Sequence, residues 1–242
     1  MKVLFLDTSC RMAKTYLIED GKLLSEATDE GTKTHASMLF PCIRKVLDDA
    51  GAEKEDIDVF SVTAGPGSYT GLRISMSAAK TLSYSLGKPL VPVNTLRYLL
   101  ASVSDPSDIR VSLIDGRNTL CYYLIAADEA FTPQDGLSSG ERSAIGTDSV
   151  GSDYVENICG ALRECCGGRQ IVFTGDGANN YRDIIKDLYP KARFAPEGEI
   201  FGTYRGAFSE TVKVLNGQSG AALDAYNASV NYYKDVHVSL PR

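Results

Sequence analysis

The sequence predicts an α/β protein made of two related halves, and three observations carry that prediction. A short apolar strand, Val3-Leu4-Phe5-Leu6, ends at Asp7, turns through Met12 and returns from Lys14 to Glu19. The same unit recurs where Arg110 to Ile114 ends at Asp115, turns through Gly116-Arg117-Asn118 and returns from Thr119 to Ala127; Tyr16-Leu17-Ile18 reappears there as Tyr123-Leu124-Ile125. Between the two units an apolar run, Ile57 to Ala64, feeds the glycine-rich turn Gly65 to Gly71 and then a helical pattern, the strand, turn, helix order of α/β proteins.

The elements follow in order. Asp20-Gly21 is a two-residue hairpin turn, so Lys22 to Thr28 is a third strand beside Lys14 to Glu19. Thr34 to Ala50 carries Met38, Leu39, Cys42, Ile43, Val46 and Leu47 at helical spacing, with Gly51 as its stop and Pro41 expected to bend it or to leave a hydrogen bond unmade. Leu72 to Leu86 is a helix ended by Gly87 and Pro89, Leu90 to Val93 a strand, and Thr95 to Val103 a helix. The polar segment Ser104-Asp105-Pro106-Ser107-Asp108 marks a boundary, dividing residues 1–104 from residues 105–242. In the second half, Gln134 to Gly151 is read as loop, Asp153 to Cys165 as helix, Ile171 to Thr174 as strand and Asn180 to Leu188 as helix. Thr203 to Asn216 and Ala221 to Tyr233 are read as terminal helices, the last of them expected to pack back on the first half. Repeated strand–Asp–turn–strand units are the signature of the actin/hexokinase/Hsp70-like architecture, in which two related α/β halves face each other across a cleft.

Size and composition narrow the function. A chain of 242 residues with 43% hydrophobic and 23% charged residues has the make-up of a globular protein with a sizeable core. The net charge of −6 is unlike that of a lone binder of nucleic-acid backbones, which is usually basic. Contact with RNA would then come largely through a partner. No apolar run has the length needed to cross a bilayer, and the chain begins with a strand rather than a signal peptide; a cytoplasmic location is expected. Six cysteines are present without a Cys-x-x-Cys pair, and only two histidines, His35 and His237. That set supports neither a zinc ribbon nor a cysteine–histidine nucleophile, and reduced thiols are expected.

The candidate chemistry sits where strands end. In open α/β sheets ligands bind beyond the carboxyl ends of the strands. Asp7, Thr8 and Ser9, Gly65 and Gly67, Asp115, and Gly175-Asp176-Gly177 are therefore candidate nucleotide-cleft residues. Each aspartate has the alternative of accepting hydrogen bonds from its own turn. The glycine turn either aims backbone N–H groups at an anion or serves as a tight connection. It lacks the Gly-Lys-Ser/Thr of a Walker loop, and Thr70 stands where a dinucleotide fingerprint has its third glycine. Arg73 and Arg117 each follow a glycine turn, suited to a phosphate or an intramolecular ion pair.

The wording of these motifs is more specific than their pattern. Leu6-Asp7-Thr8-Ser9, His35 with Leu39-Phe40-Pro41, Val62 to Ile74 around Gly65-Pro66-Gly67-Ser68-Tyr69-Thr70-Gly71, and Gly87 to Leu96 together closely resemble the TsaB (YeaZ) family. Ile114-Asp115-Gly116-Arg117 and Thr174-Gly175-Asp176-Gly177-Ala178 look like its weaker second-half landmarks. The resemblance implies the actin-like fold and a bacterial partner protein in making threonylcarbamoyladenosine in tRNA. The related catalytic subunit, TsaD, carries a His-x-x-x-His metal pair on the helix after the corresponding Val-Asn. Here Val93-Asn94 is followed by Thr95 and then Leu99, neither of which replaces a histidine ligand.

The resemblance therefore implies no catalytic and no metal residues in this chain. It implies a non-catalytic scaffold that binds and activates a TsaD-type subunit, with a TsaE-type ATPase as third component and tRNA reached through the complex. It requires no cofactor of its own, with weak ATP or ADP binding at most. Such proteins pair through their first two helices, and alone form homodimers. The expected interface is thus His35, Met38, Leu39, Cys42, Ile43 and Val46 on the first helix with Leu72, Ser75, Met76, Ala79 and Leu82 on the second. The competing reading is a self-sufficient actin-fold small-molecule kinase or nucleotide hydrolase with Asp7 or Asp115 as base.

Overall fold

Leu4 and Leu6 of β1 (Lys2–Asp7) point to one side of a sheet and Val3 and Phe5 to the other, all four at most 1% exposed. A strand with both faces apolar must be covered twice, and the chain is built around that requirement. β1 pairs antiparallel with β2 (Ala13–Glu19), and β2 pairs antiparallel with β3 (Lys22–Asp29). On the other side β1 pairs parallel with β4 (Val59–Thr63) and β4 with β5 (Leu90–Val93). The sheet order is β3-β2-β1-β4-β5. The Asp20-Gly21 hairpin has both residues at positive φ, +49 and +79, as a type I′ turn requires.

The second sheet repeats this plan. β6 (Ile109–Asp115) pairs antiparallel with β7 (Leu120–Ala127), which pairs antiparallel with β8 (Gly151–Tyr154); β6 pairs parallel with β9 (Ile171–Thr174) and β9 with β10 (Ala192–Phe194). Read from β8, the order is β8-β7-β6-β9-β10, strand for strand the first sheet with each number raised by five. Register follows too. Tyr16 lies opposite Phe5, two residues before Asp7, and Tyr123 lies opposite Leu113, two residues before Asp115.

Helices α1 (His35–Ala50) and α2 (Tyr69–Leu86) cover the outer face of the first sheet. Helix α4 (Val155–Cys165) and the pair α5 (Asp176–Asn180) and α6 (Arg182–Leu188) pack on the outer side of the second. Between the sheets lie α3 (Thr95–Ala101) and α7 (Tyr204–Gly217), which pack on each other. They do so crosswise: α3, which follows the first sheet, lies on β6 and β7, whereas α7, which follows the second, lies on β5, β1 and β2. The central core joins Val3, Phe5 and Val91 of one sheet with Ile114 and Leu124 of the other around Leu96, Tyr98 and Ala207.

This computed structural model describes residues 1–29, 35–105, 107, 109–127, 150–166, 169–217 and 228–231. Nearly all of the Gln134 to Gly151 loop reading, and all of Ala221 to Tyr233 except residues 228–231, lie outside them. Residues 228–231 are not helical; Asn231 donates its N–H to the Ala64 carbonyl at 2.7 Å, and Ala228 is buried in the first core.

Three readings are corrected. Asp153 to Cys165 is a strand followed by a helix, because Gly151 and its neighbours add an edge to β7 with no apolar alternation to announce it. Asn180 to Leu188 is two helices broken at Tyr181 (φ −108, ψ 24), whose phenol is engaged elsewhere, as shown below. Strand β10 has only three residues and was not expected. Helix α1 runs through Pro41, which lies on its exposed face.

Candidate functional site

Strands β1 and β4 end side by side, so the Asp7–Ser9 turn and the glycine turn meet. The Asp7 Oδ1 accepts from the Ser9 N–H and from the Thr63 Oγ1, each at 2.9 Å. Thr8 donates its hydroxyl to the Gly71 carbonyl at 2.6 Å, and the Ser68 N–H goes to the Ser9 carbonyl at 2.6 Å. The glycines permit this contact. A Cβ on Gly67 (φ +157) would stand 2.6 Å from the Ser9 carbonyl oxygen, and one on Gly71 would collide with the Thr8 carbonyl. Gly65 (φ +110) likewise lies against the backbone of Asn231. The turn is thus shaped by close approach of the chain's own backbone. Ser68 caps α2 by accepting from the Gly71 N–H at 3.2 Å.

The second half places its aspartates together. Asp115 accepts from the Arg117 N–H (2.7 Å), the Tyr181 phenol (2.7 Å) and the Asn180 side-chain amide (3.0 Å). Asp176 accepts the Asp115 N–H at 3.0 Å. Tyr181 accepts in turn from the Thr119 N–H at 3.2 Å. Arg117, Asn118 and Thr119 all have positive φ, a conformation uncommon for non-glycine residues and rarest for a β-branched one. It makes the tight return from β6 to β7.

The two halves meet around Cys10. This buried thiol lies between Asp7 and Asp176, and burial with both charges pushes its pKa well up. Burial raises the Asp7 carboxyl above its ordinary range and brings Asp176 to about 6, with the Asp115 charge adding to the second. Lys14, 8% exposed, donates to the Gly202 carbonyl at 2.9 Å, and burial lowers its pKa against the pull of Asp7. Asp115 and Asp176 are joined directly, and Cys10 feels the charges of both Asp7 and Asp176; the Gly65–Gly71 turn packs on Thr8, Ser9 and Asn231, whereas Gly175 and Gly177 pack on Leu113. Cys10, Lys14 and Tyr181, which interact with these aspartates, were not among the expected residues. The only signal available for Lys14 was a charge inside an apolar strand.

The first two helices pack on each other, but most expected interface residues face inward. Leu39, Cys42, Ile43 and Val46 on α1, and Leu72, Ser75, Met76 and Ala79 on α2, are buried within the chain. Met38 and Leu82 are half-buried. Helix α1 begins at His35, whose side chain is outside the described set. The apolar stripe is core because α1 and α2 must cover Leu4, Leu6, Phe60 and Val62 of the sheet. The outward faces carry other residues: Phe40 (55% exposed), Tyr69 (50%) and Tyr84 (82%), with Arg73 stacked 4.0 Å from the Tyr69 ring. A shallow hollow of about 570 Å³ on α1 is lined by Phe40, Pro41, Arg44, Lys45, Asp48 and Asp49.

Helix α3 opens with Asn94 capping the Arg97 N–H at 3.0 Å. Thr95 and Leu99 on it are fully buried, Leu99 against Gly175. Among the described residues no group of three or more His, Cys, Asp or Glu side chains is placed to hold a metal ion, and no helix is long and apolar enough to cross a membrane.

Comparison with known proteins agrees with this geometry. The family described as TsaD, tRNA N6-adenosine threonylcarbamoyltransferase, matches residues 22–188. The tRNA threonylcarbamoyladenosine biosynthesis protein TsaB of Bacillus subtilis (strain 168) is 30% identical over 188 residues, 78% of this chain and 76% of that protein. The tRNA N6-adenosine threonylcarbamoyltransferase of Kosmotoga olearia is 35% identical over 111 residues, so the chain spans only 34% of that relative. A Pseudomonas aeruginosa protein with similarity to peptidase YEAZ superposes with a TM-score of 0.72 at 22% identity, covering 96% of this chain and 99% of the other. ROK hexokinase from Thermus thermophilus superposes at 0.50 with 12% identity over 89% of this chain and all of its own. The fold is the duplicated actin-like one.

Proposed function

We propose, because this chain belongs to the TsaB (YeaZ) family, that it serves tRNA threonylcarbamoyladenosine biosynthesis as a partner subunit that binds a TsaD-type catalytic chain and does not carry out the transfer alone. The observation that carries this reading is the filling of α3. Where the catalytic relative is expected to hold a metal between two histidines, this chain has Thr95 and Leu99 packed into its core. The glycine turn supports the same reading, since its close approaches are to Thr8, Ser9 and Asn231 of the chain itself.

The outward face of α1 and α2 is the surface assigned to the partner. Phe40, Tyr69 and Tyr84 are large aromatics left in water, and aromatic side chains are enriched among the residues that anchor protein interfaces. The same face is assigned to a homodimer when the partner is absent, with two helices from each chain. A TsaE-type ATPase completes the assembly, and tRNA is met through it. The test is reconstitution. Purified chain given threonylcarbamoyl-adenylate and tRNA is expected to yield no modified adenosine until a TsaD-type subunit is added. Product formed by this chain alone would overturn the reading.

A further inference from the structure

Five of the six cysteines are buried and one is not. Cys10, Cys42, Cys121, Cys159 and Cys166 lie inside, and only Cys165 is half-exposed. Cys165 and Cys166 are consecutive at the C-terminal end of α4, and their sulfurs stand 3.3 Å apart. Cys166 caps the helix, its N–H on the Leu162 carbonyl, and its side chain belongs to the second core with Tyr189. The pair differs electrically from the other thiols. Burial pushes Cys10, Cys42, Cys121 and Cys159 up. The hydrogen bond shared with Cys166 holds Cys165 below the ordinary thiol range, while Cys166 itself is raised by that bond and by burial.

We propose that Cys165 and Cys166 form a modification site for low-molecular-weight disulfides, Cys165 attacking and Cys166 resolving. The Cys165 thiolate attacks one sulfur of the disulfide RSSR, forming Cys165–S–S–R and releasing one thiolate RS⁻. Cys166 loses its proton and attacks the Cys165 sulfur, releasing the second RS⁻ and leaving a Cys165–Cys166 disulfide. Two protein thiols are oxidised and one disulfide is reduced to two thiols. Adjacent Cα atoms are about 3.8 Å apart, below the usual disulfide minimum of about 4.4 Å. The ring is therefore strained and readily reopened by thiols. Closing it draws Cys166 out of the core beside Tyr189, so oxidation loosens the end of α4.

The test uses the full chain in buffers of reduced and oxidised glutathione, with peptide mapping by mass spectrometry below the unfolding temperature. The expected product is loss of two hydrogens from the peptide holding both cysteines, with a lowered thermal midpoint that thiol restores. Cys166→Ser is expected to stop at one glutathione on Cys165. Cys165→Ser is expected to slow modification by roughly tenfold or more. The order in which the six thiols of the unaltered chain react gives a readout free of any folding defect in the variants. A glutathione adduct that persists on Cys165 without ring closure overturns the resolving role, and earlier reaction at any of the four isolated cysteines overturns the site.

Discussion

Asp176 accepts the backbone N–H of Asp115 at 3.0 Å, so the aspartate that opens α5 is fixed to the one that ends β6. The contact keeps one part-buried carboxylate beside another and sets how the protein responds to pH.

Burial raises Asp176 to about 6 in the folded chain, above the ordinary unfolded aspartate value of about 3.9. The folded state then binds more protons than the unfolded state between these values. Stability is full below about pH 4 with respect to this group and falls as pH rises through about 6, by roughly 3 kcal/mol. Asp7 shifts in the same direction. Asp176→Asn keeps an oxygen for the Asp115 N–H. It is expected to raise the unfolding free energy at pH 7 and flatten its decline between pH 4 and 6. Denaturant unfolding at several pH values checks this, and an unchanged slope in the variant would refute it.

Gly71→Ala is expected to destabilise the chain by about 3 kcal/mol or more, because the new methyl meets the Thr8 carbonyl, a backbone atom that cannot step aside. Gly160→Ala, in α4 with nothing within 4 Å of the added carbon, is expected to stabilise by up to about 1 kcal/mol. Thermal unfolding of the two variants side by side measures the contrast.

Phe40→Asp and Met76→Arg separate surface from core. Phe40 is 55% exposed, so its replacement is expected to leave stability within about 0.5 kcal/mol while weakening association with a TsaD-type subunit and with a second copy by roughly tenfold or more. Met76 is 5% exposed inside the first core, and arginine there is expected to cost about 3 kcal/mol or more. Sedimentation and pull-down read the first effect, circular dichroism the second. Full association of folded Phe40→Asp would remove this face from the interface.

Nucleotide binding by the isolated chain is expected to be weaker than micromolar. Asp7 is already held by Ser9 and Thr63, and the glycine turn by Thr8 and Ser9. Calorimetric titration with ATP and magnesium, with and without a TsaD-type subunit, measures it; a micromolar or tighter constant for the chain alone would refute this.

Much of the fold was legible because its strands are apolar runs with definite stops. The echo of Tyr16-Leu17-Ile18 in Tyr123-Leu124-Ile125 reports true register, since both tyrosines stand opposite residues two before a strand-end aspartate. What the sequence hid depends on contacts between distant segments. Nothing near Gly71 announces that its carbonyl accepts the hydroxyl of Thr8, 63 residues earlier. The apolar stripe of α2 reads the same whether it faces a sheet or a partner, and only the position of β1 and β4 beneath it decides. Strands β8 and β10 are edges held by their neighbours, with no pattern of their own.

The crosswise seating of α3 and α7 also has a consequence in time. Val3, Phe5 and Val91 are covered partly by a helix that begins at Tyr204. During synthesis at about 5–20 residues per second, the first sheet waits roughly 10 s after its own last strand before that helix leaves the ribosome. For that interval the inner face of a finished sheet has only α3, through Tyr98 on Phe5, to cover it, so the nascent chain is open there to chaperones and to misassembly until α7 arrives.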